Sequence, residues 1–290
     1  MCRVERTLLP TIISIAVSLV GITGCTPRQQ AAVQPPGNAA AAPHPDLSGF
    51  WNLDSKIPRE ESLMKRVAPN TAFLDDTGAK EFPKGEFGGL KLKPAALEAT
   101  RTWNPHDQLT PEKACKAPSI VYAMQGPFPI EVFQSDRLIV IKLEYYDMVR
   151  MIFLDGRKAE ESYPDSPTGF SAGHWEGDTL VVETTHLEPA TITNNGLDHT
   201  GHVRVLERFK LGDDGKELLA TQEFEDPEIL DSRGVRFIAW RKQPGQHVFP
   251  YECDPGFAGN YSQVSDKPVE SPGRAAAALR KTARSAQPRP

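Results

Sequence analysis

Residues 169–185, GFSAGHWEGDTLVVETT, decide the fold. Two runs rich in aromatic and β-branched side chains, Gly169 to Trp175 and Thr179 to Thr185, flank Glu176-Gly177-Asp178. Gly and Asp between such runs are the residues that reverse a β-hairpin. The same grammar repeats on both sides. Strands are expected at 129–134, 137–145 and 149–154 upstream and at 202–211, 217–225 and 235–242 downstream. Their turns are Ser135-Asp136, Asp155-Gly156, Asp213-Asp214-Gly215 and a longer loop over 231–234, with Asp155-Gly156 among the strongest hairpin signals. In the strand ending at Leu211, Val203, Val205 and Phe209 alternate with Arg204, Arg208 and Lys210, so one face is apolar and the other wet.

An antiparallel meander of this kind has to hide its sheet edges, either by closing into a barrel, which we prefer, or by wrapping into a β-sandwich. Gly49-Phe50-Trp51 resembles the Gly-x-Trp start of lipocalins and other calycins. That resemblance implies a lipocalin-like β-barrel with the tryptophan packed across its closed end. One helix is expected from Pro94 to Arg101, with proline in its first turn.

The flanks differ in character from this body. Arg3 and Arg6 precede an apolar run from Leu8 to about Val20 and then Ile22-Thr23-Gly24-Cys25. The run is too short to cross a hydrocarbon core, which needs about 20 apolar residues as a helix, and it reads as a signal sequence. The last four residues resemble the lipobox of bacterial lipoproteins, which implies cleavage before Cys25, acylation of Cys25 with palmitate and attachment to the cell envelope. Thr26, rather than aspartate, follows the cysteine, and the same resemblance then implies the outer membrane, facing the periplasm. The expected organisation is a signal peptide over 1–24, a disordered tether over 25–45, one β-rich domain over 46–261 and a disordered basic tail over 262–290. The tail carries Arg274, Arg280, Lys281, Arg284 and Arg289 and could touch anionic envelope surfaces.

Of 290 residues, 39% are hydrophobic and 24% charged, and the net charge is −5, which suits a soluble exported body and argues against nucleic acid as a partner. With Cys2 and Cys25 assigned to the leader and anchor, Cys115 and Cys253 remain in an oxidising compartment, and a disulfide between them is expected. Two buried free thiols are the alternative.

Gly173-His174-Trp175-Glu176-Gly177-Asp178-Thr179-Leu180-Val181-Val182 resembles a motif of an uncharacterised family of exported bacterial proteins. The likeness extends to Asn104-Pro105-His106-Asp107, Glu144-Tyr145, Val149-Arg150, Leu154-Asp155-Gly156-Arg157, His199-Thr200 and Glu207-Arg208-Phe209. It implies a shared fold and brings no activity with it. Tyr146-Asp147 stand where that family commonly has Asp-His, and Phe170 where it commonly has His, so a histidine site of the family is not implied for this chain.

Candidate chemistry is sparse. His174 and Glu176 lie two apart and share one face of a strand, where with His106 and His199 they could perform acid–base work at a barrel mouth. His199 is expected in a loop with Asn194-Asn195-Gly196. Glu144, Tyr145, Arg150 and Glu207 are candidates for orienting a ligand, with an internal salt bridge of Glu207 to Arg150 or Arg208 as the structural alternative. No metal site or cofactor motif is legible. Three functions stay open: a lipid-tethered barrel binding a small, mostly apolar ligand or a partner; a hydrolase, lyase or isomerase; and a structural envelope protein.

Overall fold

The computed structural model describes residues 44–105 and 110–256. Cys25, the leader, the tail and His106 lie outside them. Nine strands close into a barrel: β1 (Gly49–Leu53), β3 (Ile130–Gln134), β4 (Leu138–Leu143), β5 (Val149–Phe153), β6 (Phe170–Glu176), β7 (Thr179–Thr185), β10 (Arg204–Leu211), β11 (Glu217–Glu225) and β12 (Gly234–Lys242). Closure is made by Trp51 of β1, which stands opposite Ile130 of β3 on one side and Lys242 of β12 on the other. The remaining strands are β2 (Ala72–Phe73), which extends the sheet beside β12, and β8 (Ala190–Thr193) and β9 (Leu197–His199), which form a separate hairpin. Helices are short: α1 (Glu61–Met64), α2 (Pro94–Thr102), α3 (Pro111–Ala114) and α4 (Ile120–Ala123).

Two expectations need correction. Asp155-Gly156 does not close a hairpin, because β5 and β6 run parallel with Ile152 opposite Ser171, so the barrel is mixed rather than a pure antiparallel meander. Parallel neighbours need a crossover, and here residues 154–169 carry the chain back to the level of Ile152. Asn194-Asn195-Gly196 is not a plain loop but the turn of the β8–β9 hairpin, with Gly196 at φ +99°.

The register sorts side chains into two sets. Trp51, Ile139, Arg150, Trp175, Glu207, Gln222, Arg236 and Trp240 point inward along with the branched and aromatic residues two positions from each. The interior is filled. Trp51, Phe209, Phe224 and Trp240 are buried there, in one continuous core with α4. At one end α4 acts as a plug: Gln222 Nε2 donates to the Ile120 carbonyl at 3.1 Å and Arg236 Nη1 to the Val121 carbonyl at 2.9 Å. The other end is crossed by residues 44–48, where His44 stacks on Trp175 with centroids 4.9 Å apart and Trp51 Nε1 donates to the Leu47 carbonyl.

Two buried ion pairs stand at the plug end. Arg236 forks onto Asp76 with contacts of 2.8 and 2.7 Å and donates to the Ile192 carbonyl of β8. Arg150 meets Glu207, with Ser171 and Thr184 as further partners at 3.1 and 2.9 Å. The expected internal salt bridge is therefore present and its cation is Arg150. Arg208 faces outward to Glu223 instead.

Outside the barrel, β11 and β12 are apolar on their second face too. Leu219, Phe237 and Ala239 are covered by Ile57 and Leu63 of the segment that carries α1 and β2.

Candidate functional site

A cleft of about 750 Å³ opens on the plug end, outside the filled interior. Its walls come from widely separated stretches: Trp103 after α2, Lys113 and Lys116 around α3, Tyr122 on α4, the β4–β5 turn, the β8–β9 hairpin and residues 251–254. The disulfide gathers two of these. Cys115 and Cys253 are bonded, with Cα atoms 5.8 Å apart, and residues 251–254 are thereby held against the α3 segment.

The β4–β5 turn is the unusual element. Tyr146 and Asp147 both have positive φ, +55° and +53°, in the connection over residues 144–148, where glycine or asparagine would be the relaxed choice. Each such residue costs on the order of 1–2 kcal/mol, and neighbouring contacts offset that cost. Tyr146 Oη donates to the Ala114 carbonyl at 2.9 Å, the Tyr251 amide donates to Asp147 Oδ1 at 3.0 Å, and the Phe249 amide donates to Glu144 Oε2 at 3.1 Å. The rings of Tyr146 and Tyr251 stack at 4.7 Å, and Tyr145 stacks on Phe128 at 4.4 Å. Strain of this kind, held by surrounding contacts, presents a side chain at a fixed position.

Burial raises the pKa of Tyr122, Tyr145, Tyr146 and Tyr251; next to burial, a neighbouring carboxylate, Glu81, raises Tyr122, and the other rings raise Tyr145 and Tyr146. These phenols stay neutral at physiological pH. Opposite them, Gly196 makes room for Trp103, since a Cβ there would sit 2.4 Å from the ring. Asn195 anchors the hairpin by donating to the carbonyls of Pro83 and Glu86 at 2.9 and 2.7 Å. Lys113 and Lys116 bring positive charge, and Asp198, Glu252 and Asp254 negative charge. Flat aromatic faces with both kinds of polar group suit a small amphipathic molecule that contains a ring.

The candidate residues are dispersed. Tyr145 lines the cleft and Glu144 holds the segment that forms its rim, whereas Arg150 and Glu207 are sealed beneath α4. His174 and Glu176 do share a face and touch, at 3.1 Å, yet that face is the outer wall of β6, where Arg66 also pairs with Glu176. They do not stand at a barrel mouth. Gly173 explains the choice of face: it points inward, where a Cβ would sit 2.9 Å from Ile152 and 3.0 Å from Leu154. Trp175 follows on the same inward side, and the motif works as a hairpin that seats this ring.

His199 points away from the cleft, its neighbour Asp198 towards it. Its Nδ1 donates to the Thr200 carbonyl at 2.8 Å and its Nε2 accepts from Ser119 Oγ at 2.6 Å. Burial lowers the pKa of His199, so the imidazole is neutral. Ser119 is fully buried and caps α4 by accepting from the Val121 amide. The pair fastens the plug, and both side chains are buried. Among the described residues, no group of three or more His, Cys, Asp or Glu side chains is arranged to hold a metal ion.

Sequence reasoning missed Trp103, Tyr146, Tyr251 and Asp198. One signal was available: a Cys115–Cys253 bond places Tyr251 beside the residues around 115. Compared with known protein families and with curated proteins, the chain matches none.

Proposed function

We propose that this chain is a lipid-anchored protein of a bacterial envelope that binds a small amphipathic ligand in the aromatic cleft at the plugged end of its barrel. The cleft carries the reading. It is open, walled by neutral tyrosines on a strained turn, and built from stretches that the disulfide and the plug hold together. A β-barrel is compatible with a ligand held inside it in the manner of a lipocalin, but the aromatic and branched side chains of its continuous core favour the outer cleft as the binding site. The leader ending in Cys25 supports palmitate anchorage at the outer membrane, facing the periplasm, and a disulfide suits that compartment. Among the described residues, no helix is long and apolar enough to cross a membrane.

A second reading has one observation in its favour. A barrel filled to its ends also suits a structural envelope protein, for which the cleft would be a contact surface rather than a pocket for a ligand. Native mass spectrometry of the mature protein purified from its envelope separates the two. Binding predicts a retained small-molecule mass that the Tyr146→Ala and Tyr251→Ala variants lose while remaining folded. A wild-type protein that carries no adduct and gains none from an envelope extract would remove the ligand reading. Labelling cells with radioactive palmitate tests the anchor, and label that persists in a Cys25→Ser variant would refute it.

A further inference from the structure

β3, β4 and β5, like β11 and β12, are apolar on both faces. Their inward residues fill the core, yet Phe133, Leu138, Val140, Val149, Met151 and Phe153 point outward. These are contiguous, because Phe133 stands opposite Val140 and Val140 opposite Met151 across three neighbouring strands. Phe133, Val149 and Met151 are 48%, 52% and 46% exposed. The equivalent apolar face of β11 and β12 is covered by the segment with α1 and β2, whereas here described neighbours stand at the edges, Phe170 and Arg157 against Phe153 and residues 248–250 beside Lys142, and leave Phe133, Val149 and Met151 about half exposed. A contiguous exposed apolar patch marks a contact surface.

Its surroundings indicate what it meets. Arg137 and Arg157 share Asp155 at one end of the patch and are 78% and 52% exposed. Arg157 also lies over the Phe153 ring at 4.3 Å. Lys142 is exposed on the same face, beside Phe249, which is 70% exposed. Apolar tips inside a rim of cations match the boundary between acyl chains and phosphate headgroups. The chain also begins its described course here. Gln134, next to Phe133, accepts from the Leu47 amide and donates to the Pro45 carbonyl. About twenty residues separate Cys25 from His44, a span of at most about 70 Å, so an acylated Cys25 keeps this face within reach of a bilayer.

We propose that the outer face of β3, β4 and β5 is a membrane-contact surface, seating Phe133, Val140, Val149 and Met151 at the acyl boundary of a phospholipid bilayer, with Arg137, Lys142 and Arg157 at the headgroup phosphates. Proximity to that bilayer rests on the lipid-anchor reading; the contact itself does not. The arrangement turns the barrel wall, not the cleft, towards the membrane and leaves the cleft open to the aqueous side.

The test uses residues 25–290 carrying Cys25→Ser, so that no acyl chain contributes, sedimented with mixed phosphatidylethanolamine–phosphatidylglycerol vesicles. The expected result is a vesicle-bound fraction that falls with added salt and falls about tenfold in the Phe133→Ser/Met151→Ser variant, with unchanged thermal unfolding because both side chains are half in water. A parent chain that stays in the supernatant overturns the proposal. So does equal binding of parent and variant, which would move the contact elsewhere, or a dimer by light scattering that the two substitutions dissolve. Palmitate labelling of Cys25 reports separately on the anchor, so each reading can fail without the other.

Discussion

Replacing Glu207 by Leu removes the carboxylate that faces Arg150 inside the barrel. The two side chains are 0% and 1% exposed, so the guanidinium left behind cannot recruit bulk water. Ser171 and Thr184 still accept from it, but hydroxyls do not neutralise a charge. An uncompensated buried cation of this kind costs about 3–5 kcal/mol. At about 2–4 °C per kcal/mol for a domain of this size, the melting temperature should fall by roughly 6–20 °C. A second variant decides whether charge is the cause. In Arg150→Met/Glu207→Leu the cation is gone, Ser171 and Thr184 keep their mutual contact of 2.8 Å, and Gln222 keeps its bond to the Ile120 carbonyl. An apolar replacement of a whole buried pair is often neutral or better, so the double variant should melt close to the parent. The assay is thermal unfolding followed by circular dichroism. A single variant that melts within about 2 °C of the parent, a loss of no more than about 1 kcal/mol, would refute the reasoning, as would a double variant no more stable than the single.

Three further outcomes are expected. Gly196→Ala forces a side chain into φ +99° and against Trp103, at a cost of about 1–3 kcal/mol, and a red-shifted tryptophan emission should accompany the lower melting point as the cleft wall is pushed aside. Replacing Cys115 and Cys253 by Ser opens a link spanning 138 residues in sequence, worth up to about 5 kcal/mol on the chain-entropy model; urea unfolding midpoints that agree with and without reductant would contradict this. His199 is held neutral by burial, so its folded pKa lies below the ordinary 6.5. The unfolded chain therefore binds the proton first, and the stability His199 contributes is whole above about pH 6.5 and lost as pH falls below it. Melting temperatures of the parent should drop over that window more steeply than those of His199→Gln, and parallel curves would show that the group is not coupled to folding.

What could be read from the chain alone was local. β-branched runs, period-two alternation and turn residues act over a few positions, so the principal strands from Ile130 to Lys242, the helix at Pro94 and the Glu176-Gly177-Asp178 hairpin were legible, and the compartment implied by the leader suggested the Cys115–Cys253 bond. Alternation states which residues share a face, as it did for His174 and Glu176. It does not state which face is inside, and that was decided by the space Gly173 leaves for Ile152 and Leu154. Nor could Asp155-Gly156 reveal that the next strand runs parallel, because the same turn residues start a crossover as readily as a hairpin. The plug, the buried arginines and the cleft arise only when segments far apart in the chain meet: α4 sits at the barrel end where Gln222 and Arg236 donate to its carbonyls, and the tyrosines converge because a covalent bond and a strained turn hold them there.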